Sequence, residues 1–387
     1  MNEVKKLVGE ALCEIISSAR SGGHKVKIGL MASGSELGAE ELVKGACMAV
    51  AQHGNVIPVM IGPRIPGHDK LEWIETPACD ADIAENLEAA LKDGRIQGAV
   101  ALHFPFPLGV TTIGRVLTPG RGKDMLIAST TGTSATFRGE AMLRNAIYGI
   151  AVAKAMGNKA PTVGILNVDT AQPVFRALQR MSERGYDINF GASVRKDGGA
   201  ILRGNDILAG AVDICVTDTL TGNVLMKMFS SFTTGGSYES IGWGYGPSCG
   251  EGWGHVVSII SRASGAPVIA NVLAYTAQVI IGGLNEKITA EISAAKKAGL
   301  EDEIIALTPK APAGEEDVKA PPVEPTDEEI HGIDVLEIEN AVKCLWKAGI
   351  YAEPAMGCTG PVVKLSKKHE SKAHELLNQN GYIFESV

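Results

Sequence analysis

The residues best suited to chemistry lie near the C-terminus. Ala352 to Ser366 reads AEPAMGCTGPVVKLS, with Cys358 between Gly357 and Gly360 and Pro361 just beyond. Glycines on both sides leave a sulfur open to an approaching molecule. Lys364, Lys367 and Lys368 follow closely, and neighbouring cations favour the thiolate, which is the nucleophilic form of cysteine. A working nucleophile and an inert turn cysteine both fit these residues. Of the other six cysteines, Cys13, Cys47, Cys215 and Cys344 fall in apolar segments and are expected in the core.

Two further stretches suit an anion. CVTDTLTGN runs from a buried strand into Asp218–Asn223, with a helix expected to begin near Val224. N–H groups at a helix start attract phosphate, and small side chains let it come close, so Thr221, Gly222 and Asn223 are phosphate-binding candidates. ASGSELG makes a similar turn with Ser33, Gly34 and Ser35, where Ser33 and Glu36 have capping-box spacing. An ordinary strand-to-helix turn accounts for either stretch equally well. If both starts met at the C-terminal edge of one sheet, they would line the crevice where open α/β sheets take ligands. Arg195, Lys196 and Arg203 either neutralise an anion or belong to a solvated loop.

Other patterns fail. GWGYGPS lacks the strand and helix that a dinucleotide loop needs, and PGRGKD lacks P-loop spacing. His369 and His374 are five residues apart, so on a helix they diverge. No Cys, His, Asp and Glu cluster has metal-ligand spacing, so no metal is expected, and no Ser–His–Asp set is assembled by motif.

These residues need a frame. Apolar runs alternate: strand KVKIGLMA, a helix to Gly54, strands NVIPVMIG, IQGAVAL and DMLIAST, a helix from about Phe137 to Met156, then TVGILNV, AQPVFRALQRMSERG, YDINFGA, GNDILAGA and VDICVTD. Val- and Ile-rich strands separated by helices predict a parallel sheet covered on both faces. Gly235 to Gly254 holds eight glycines and several aromatics, and reads as an irregular loop, either ordered against the sheet or a lid. Ala263 to Asn285 carries no charge, but Pro267 and the Gly282–Gly283 pair punctuate it. A buried strand, APVIAN, and a buried helix are expected there, with no membrane span. Pro309 to Glu329, rich in proline, alanine and acid, reads as a linker. The expected organisation is a body at 1–308 (with lobes at about 1–135 and 136–308), a linker at 309–329, and a C-terminal cysteine module at 330–387 built as a small α+β unit.

The chain has 387 residues, 45% hydrophobic and 21% charged, with a net charge of −8. That is a soluble globular profile, and no basic run could track a nucleic acid. An odd number of scattered cysteines, without a CxxC pair or signal segment, suggests a reducing cytoplasm.

From about Lys25 to Asn285 the chain resembles the phosphate acyltransferase of phospholipid synthesis and, more distantly, phosphate acetyltransferases. The supporting stretches are GILNVDT, GNKAPTVG and INFGASVRKDGGAILRGNDILAGAVDICVTDTLTGNVLMK. It departs from that family at His103–Thr112, where HFPFPLGVTT replaces a Gly-Asn-Thr-Gly turn, and in everything after Pro309. Over its full length, AMGCTGP included, it more closely resembles the alpha subunit of component C of the glycine/sarcosine/betaine reductase complex. The resemblance implies a three-layer α/β/α body of the phosphate acyltransferase-like, isocitrate dehydrogenase-like kind. It also implies that Cys358 takes an acetyl group as a thioester and that inorganic phosphate, as substrate, releases it as acetyl phosphate, with no bound cofactor. Implied partners are the beta subunit of component C, the selenoprotein carrier (component A) and the substrate-specific component B. A stand-alone acyl-carrier phosphate acyltransferase, or a non-catalytic partner of a homologous larger subunit, are the other readings.

Overall fold

A computed structural model describes residues 25–195, 199–309, 318–333, 337–357 and 360–383. The first run of elements is β1 (Val26–Met31), α1 (Ala39–Gln52), β2 (Val56–Gly62), β3 (Glu72–Glu75), α2 (Asp80–Lys92) and β4 (Gly98–Ala101). The second is β5 (Val110–Leu117), β6 (Asp124–Thr133), α3 (Arg138–Ala155), β7 (Thr162–Leu166), α4 (Ala171–Glu183), β8 (Asn189–Phe190), β9 (Ile201–Leu202), α5 (Gly204–Ala209), β10 (Ile214–Val216) and α6 (Thr219–Ser231). Then come β11 (Gly246–Gly250), β12 (Val257–Ile259), α7 (Ala266–Ile281), α8 (Leu284–Lys297) and α9 (Leu300–Leu307).

These strands join one sheet in the order β3-β2-β1-β4-β12-β11-β5-β6-β10-β7-β8, with β9 beside β7. Pairing is parallel except along β12–β11–β5–β6, which is antiparallel throughout. Three reversals separate β1 from β10, so the two parallel runs point in opposite directions. Burial on both faces explains the apolar strands: Met125 and Ile127 of β6 join one core, Leu126 and Ala128 the other. Helices cover both faces, giving the three-layer α/β/α body. The expected lobes share this continuous sheet.

Two readings from sequence are corrected. APVIAN is the first part of α7, not a strand: Gly265 is its N-cap and Pro267 lies in its first turn, where the missing N–H costs nothing. A short apolar run does not by itself separate strand from buried helix. The Gly-rich stretch, expected to be irregular, contains β11. There Gly246 has φ +82°, and a Cβ on it would lie 1.8 Å from the Ile113 carbonyl oxygen. Only glycine lets β11 run this close beside β5.

The chain divides after Leu307. The second unit contains β13 (Glu328–Ile330), α10 (Ile338–Lys347), β14 (Ala352–Gly357), β15 (Gly360–Leu365) and α11 (Glu370–Gln379). Its antiparallel sheet has the order β13-β15-β14. Ile330, Leu345, Ala352, Val363, Leu365 and Leu377 meet in a core of its own. Asp327 accepts the Lys367 N–H at 2.8 Å, and Glu324 pairs with Lys368 at 2.9 Å. The end of the stretch read as linker is therefore built into this unit. Among the described residues no single helix is long and apolar enough to cross a membrane.

Candidate functional site

Cys358 lies outside the described residues, as do Cys13 and Lys196. The strands flanking Cys358 are described: β14 and β15 pair from Ala352 opposite Leu365 to Gly357 opposite Gly360. The lysines expected to assist the thiol are placed away from that end. Lys364 is four residues from Gly360, roughly 14 Å at strand spacing, and Lys367 and Lys368 lie beyond the strand. Each is also committed: Lys364 to Glu329 at 3.2 Å, Lys367 to Glu328 at 3.8 Å and Lys368 to Glu324 at 2.9 Å. A paired cation more than a Debye length away does little for a thiolate. Cys47, expected in the core, is exposed, because α1 buries Leu42, Val43, Ala46 and Ala49 instead. Cys344 is half-buried and Cys215 fully buried.

The second candidate, Thr221–Asn223, does not precede a helix. Asp218 caps α6, so these residues form its first turns. The Asp218 carboxylate accepts the Thr221 N–H at 3.0 Å and its hydroxyl at 2.7 Å. Gly222 packs on β6, and Asn223 donates to the Thr130 carbonyl at 3.0 Å. The motif fastens α6 to β6, and its own carboxylate fills much of the anion-attracting helix end.

Ser33–Ser35, by contrast, lies ahead of its helix: α1 begins at Ala39 after Gly38, with no side-chain cap and no Ser33–Glu36 box. The turn is held from across the sequence. The Arg262 carbonyl accepts from the Glu36 N–H at 2.8 Å and from the Ser35 hydroxyl at 3.4 Å. The Arg262 side chain is exposed and has no acidic partner among the described residues. At the neighbouring start of α7, the Ala266 N–H is taken by the Glu41 carboxylate at 2.8 Å. An anion here therefore depends on the guanidinium and the Ser35 turn more than on that helix end.

Because β1 and β10 run oppositely, the turns at their C-terminal ends, Ser33–Ser35 and Asp218–Asn223, open on opposite rims of the sheet. They do not form the single crevice expected from sequence. Lys227, one turn beyond Asn223 on α6, donates to the Asn223 side-chain oxygen at 2.8 Å. Its Nζ lies 5.1 Å from the centre of the Tyr245 ring, and the Tyr245 hydroxyl donates to Glu239 at 2.8 Å. Glu239 is buried, and burial raises its carboxyl above the usual range despite hydrogen bonds from Tyr245 and Ser264. Its backbone brackets Ser264, two residues after Arg262: the Glu239 N–H donates to the Ala263 carbonyl at 2.9 Å, and its carbonyl accepts from the Gly265 N–H at 2.8 Å. Lys227, Glu239 and Arg262 were not singled out from sequence. Their only signal is proximity across the fold.

Arg195 and Arg203 flank Asp206. Burial pushes that carboxyl up, but N–H groups of Arg203 and Val194 and the Ser193 hydroxyl outweigh it, and the carboxyl sits below its ordinary range. This makes Asp206 the organiser of the loop. No group of His, Cys, Asp and Glu among the described residues suits a metal.

The fold is a phosphate acyltransferase-like α/β body followed by a separate α+β unit. The family model described as "Fatty acid synthesis protein" matches residues 26–364. The chain belongs to that family and, within it, to the component C alpha subunits of the glycine/sarcosine/betaine reductase complex: it is 47% identical to the one from Peptoclostridium acidaminophilum across 99% of this chain and 100% of the relative. It is also 26% identical to a phosphate acyltransferase from Thermotoga petrophila over 52% of this chain and 67% of that protein. A solved branched-chain phosphotransacylase from Enterococcus faecalis V583 is 15% identical, with a TM-score of 0.42 over 65% of this chain and 99% of its own.

Proposed function

We propose that this chain accepts an acetyl group on Cys358 from the selenoprotein carrier of a glycine/sarcosine/betaine reductase complex and releases it to inorganic phosphate. Phosphate oxygen attacks the thioester carbonyl, and the C–S bond breaks. Cys358 leaves as thiolate and takes the phosphate proton, giving acetyl phosphate and free thiol. The thioester's energy is retained in the acyl phosphate. The full-length likeness to the component C alpha subunit, which includes the strands on both sides of Cys358, carries this reading. Phosphate is assigned to the rim of the body formed by Ser33–Ser35, with Arg262 supplying charge. Thr221, Gly222 and Asn223 act on it indirectly, by fastening the helix that carries Lys227. No bound cofactor enters the scheme. The beta subunit of component C, the carrier (component A) and component B are the proposed partners, in the cytoplasm.

One observation favours a second reading. Asp218 satisfies much of the α6 start from within, which suits a body that supports a homologous active subunit. The reverse reaction separates the two. Acetyl phosphate is added to the chain alone and to the chain with its beta subunit, and the Cys358 peptide is examined by mass spectrometry. An adduct on the isolated chain is expected. An adduct only with the partner favours the second reading. No adduct in either mixture overturns the thioester assignment.

A further inference from the structure

A cleft of about 300 Å³ lies where the chain crosses between the two runs of the sheet. One crossing, between β4 and β5, contributes Leu108 and Gly109; the other, between β11 and β12, contributes Glu251. Ser134, Ala135 and Thr136 follow β6, while Glu140, Arg144 and Tyr148 form one face of α3. None of the residues considered for phosphate or thioester chemistry lines it.

The hydrogen bonds leave particular donors unused. Arg144 donates through Nε to Glu140 at 2.8 Å and through Nη1 to Glu251 at 3.5 Å. Its Nη2 has no partner among the described residues, although the side chain is only 16% exposed. Tyr148, one turn further along α3 and 1% exposed, uses its hydroxyl oxygen to accept the Glu251 N–H at 3.2 Å. Its proton has no acceptor among the described residues. Burial raises the Tyr148 hydroxyl above its usual range, which keeps that proton in place at neutral pH. Glu251 is further engaged by Lys296 at 2.6 Å, so the acids of the cleft are already balanced by cations.

We propose that this cleft is a binding site for a small carboxylate, held by the free Nη2 of Arg144 and the hydroxyl of Tyr148. A guanidinium and a phenol one helical turn apart both donate to one carboxylate, and such charge-assisted hydrogen bonds are the strong kind. The volume matches the lower range of small-molecule sites. The Oε2 oxygen of Glu140, which Arg144 leaves unused, offers a place for an ammonium group, so the carboxylate belongs either to a simple acid or to an amino acid. A ligand here touches both crossings and ties the two runs of the sheet together.

Acetate, glycine and acetamide, titrated calorimetrically into the full chain, test the site. Acetate or glycine is expected to bind, and acetamide, which lacks the carboxylate, to bind at least tenfold more weakly. Arg144→Gln is expected to weaken binding about tenfold, or about 1.4 kcal/mol, and Tyr148→Phe several-fold. Since Arg144→Gln leaves Glu140 unpaired and risks the fold, Thr136→Trp serves as a second variant: it fills the mouth, keeps the ion pairs, and is expected to abolish binding with melting unchanged. Glycine binding more tightly than acetate assigns the ammonium place, whereas equal affinity assigns a simple acid. Cys358→Ser is expected to bind as the wild type does, which keeps this result separate from the thioester reading. Failure of acetate and glycine alike to bind, or binding that all three cleft variants leave unchanged, overturns the proposal.

Discussion

Cys215 and Cys249 sit fully buried in the sheet, and burial drives both thiols up, the first to about 12 with the Asp206 charge adding to the effect. Cys47 and Cys79 are exposed and set the baseline for an ordinary accessible thiol. Iodoacetamide mapping of native protein is therefore expected to spare Cys215 and Cys249, to label Cys47 and Cys79 slowly, and to label Cys358 several-fold faster than either. Equal rates at Cys358 and Cys79 would remove the case for a tuned nucleophile. A different residue governs acid sensitivity. Hydrogen bonding from Arg180, joined by Arg184, holds the buried Glu303 carboxyl below its usual range against the opposing effect of burial. A depressed folded pKa stabilises above the unfolded value, about 4.3, and the contribution is lost as pH falls through the folded one. Glu303→Gln is expected to lower Tm at pH 7, with the gap to wild type closing below about pH 4. A gap that persists in acid would show that the pair is not the cause. At this scale the sequence marked Cys358 by its glycine flanks and Ser33–Ser35 by its place after a strand. Arg262 and Glu239 were invisible, because their relevance rests on bonds between residues far apart in the chain.

The D-x-x-TGN stretch was legible as a special strand-to-helix junction but misread in register. Asp218 and Thr221 have N-cap spacing, which places the helix start at Thr219, whereas the sequence reading began the helix near Val224. The glycine answers a packing demand: a Cβ there would fall 1.8 Å from the Ser129 carbonyl oxygen. Gly222→Ala is expected to cost about 3 kcal/mol, as overpacking against rigid backbone does. Asn223→Ala, which loses its bond to the Thr130 carbonyl and an exposed one from Lys227, should cost about 1 kcal/mol. Urea unfolding midpoints check both, and equal costs would contradict the packing account. β5 and β11 escaped the sequence reading for a related reason. Their pairing depends on glycines at close approaches, and glycine in a string reads as loop.

The alternation of strands and helices was enough to identify an α/β body with helices on both faces, since strands buried on both sides must be apolar throughout. The reversal of strand direction at β12–β11–β5–β6 was not legible, because local pattern carries no information about which neighbour a strand will choose. The C-terminal unit has its own core, so residues 308–387 expressed alone are expected to give a cooperative thermal transition by circular dichroism. Mixed at micromolar concentration with a separate 1–307 body, it should form acetyl phosphate on the order of 10²-fold more slowly than the joined chain, because joining supplies an effective concentration near millimolar. Undiminished rates in the mixture would mean that covalent connection is irrelevant to turnover.

Strand polarity has one more implication. In a sheet whose parallel strands all point one way, the opposite border receives only strand beginnings and is poor ground for ligands. Here each border collects strand endings from one run of the body's sheet, and with them turns that lead into helices. In a body of this design turns that lead into helices stand at both borders, so a change in the turns of one need not touch those of the other.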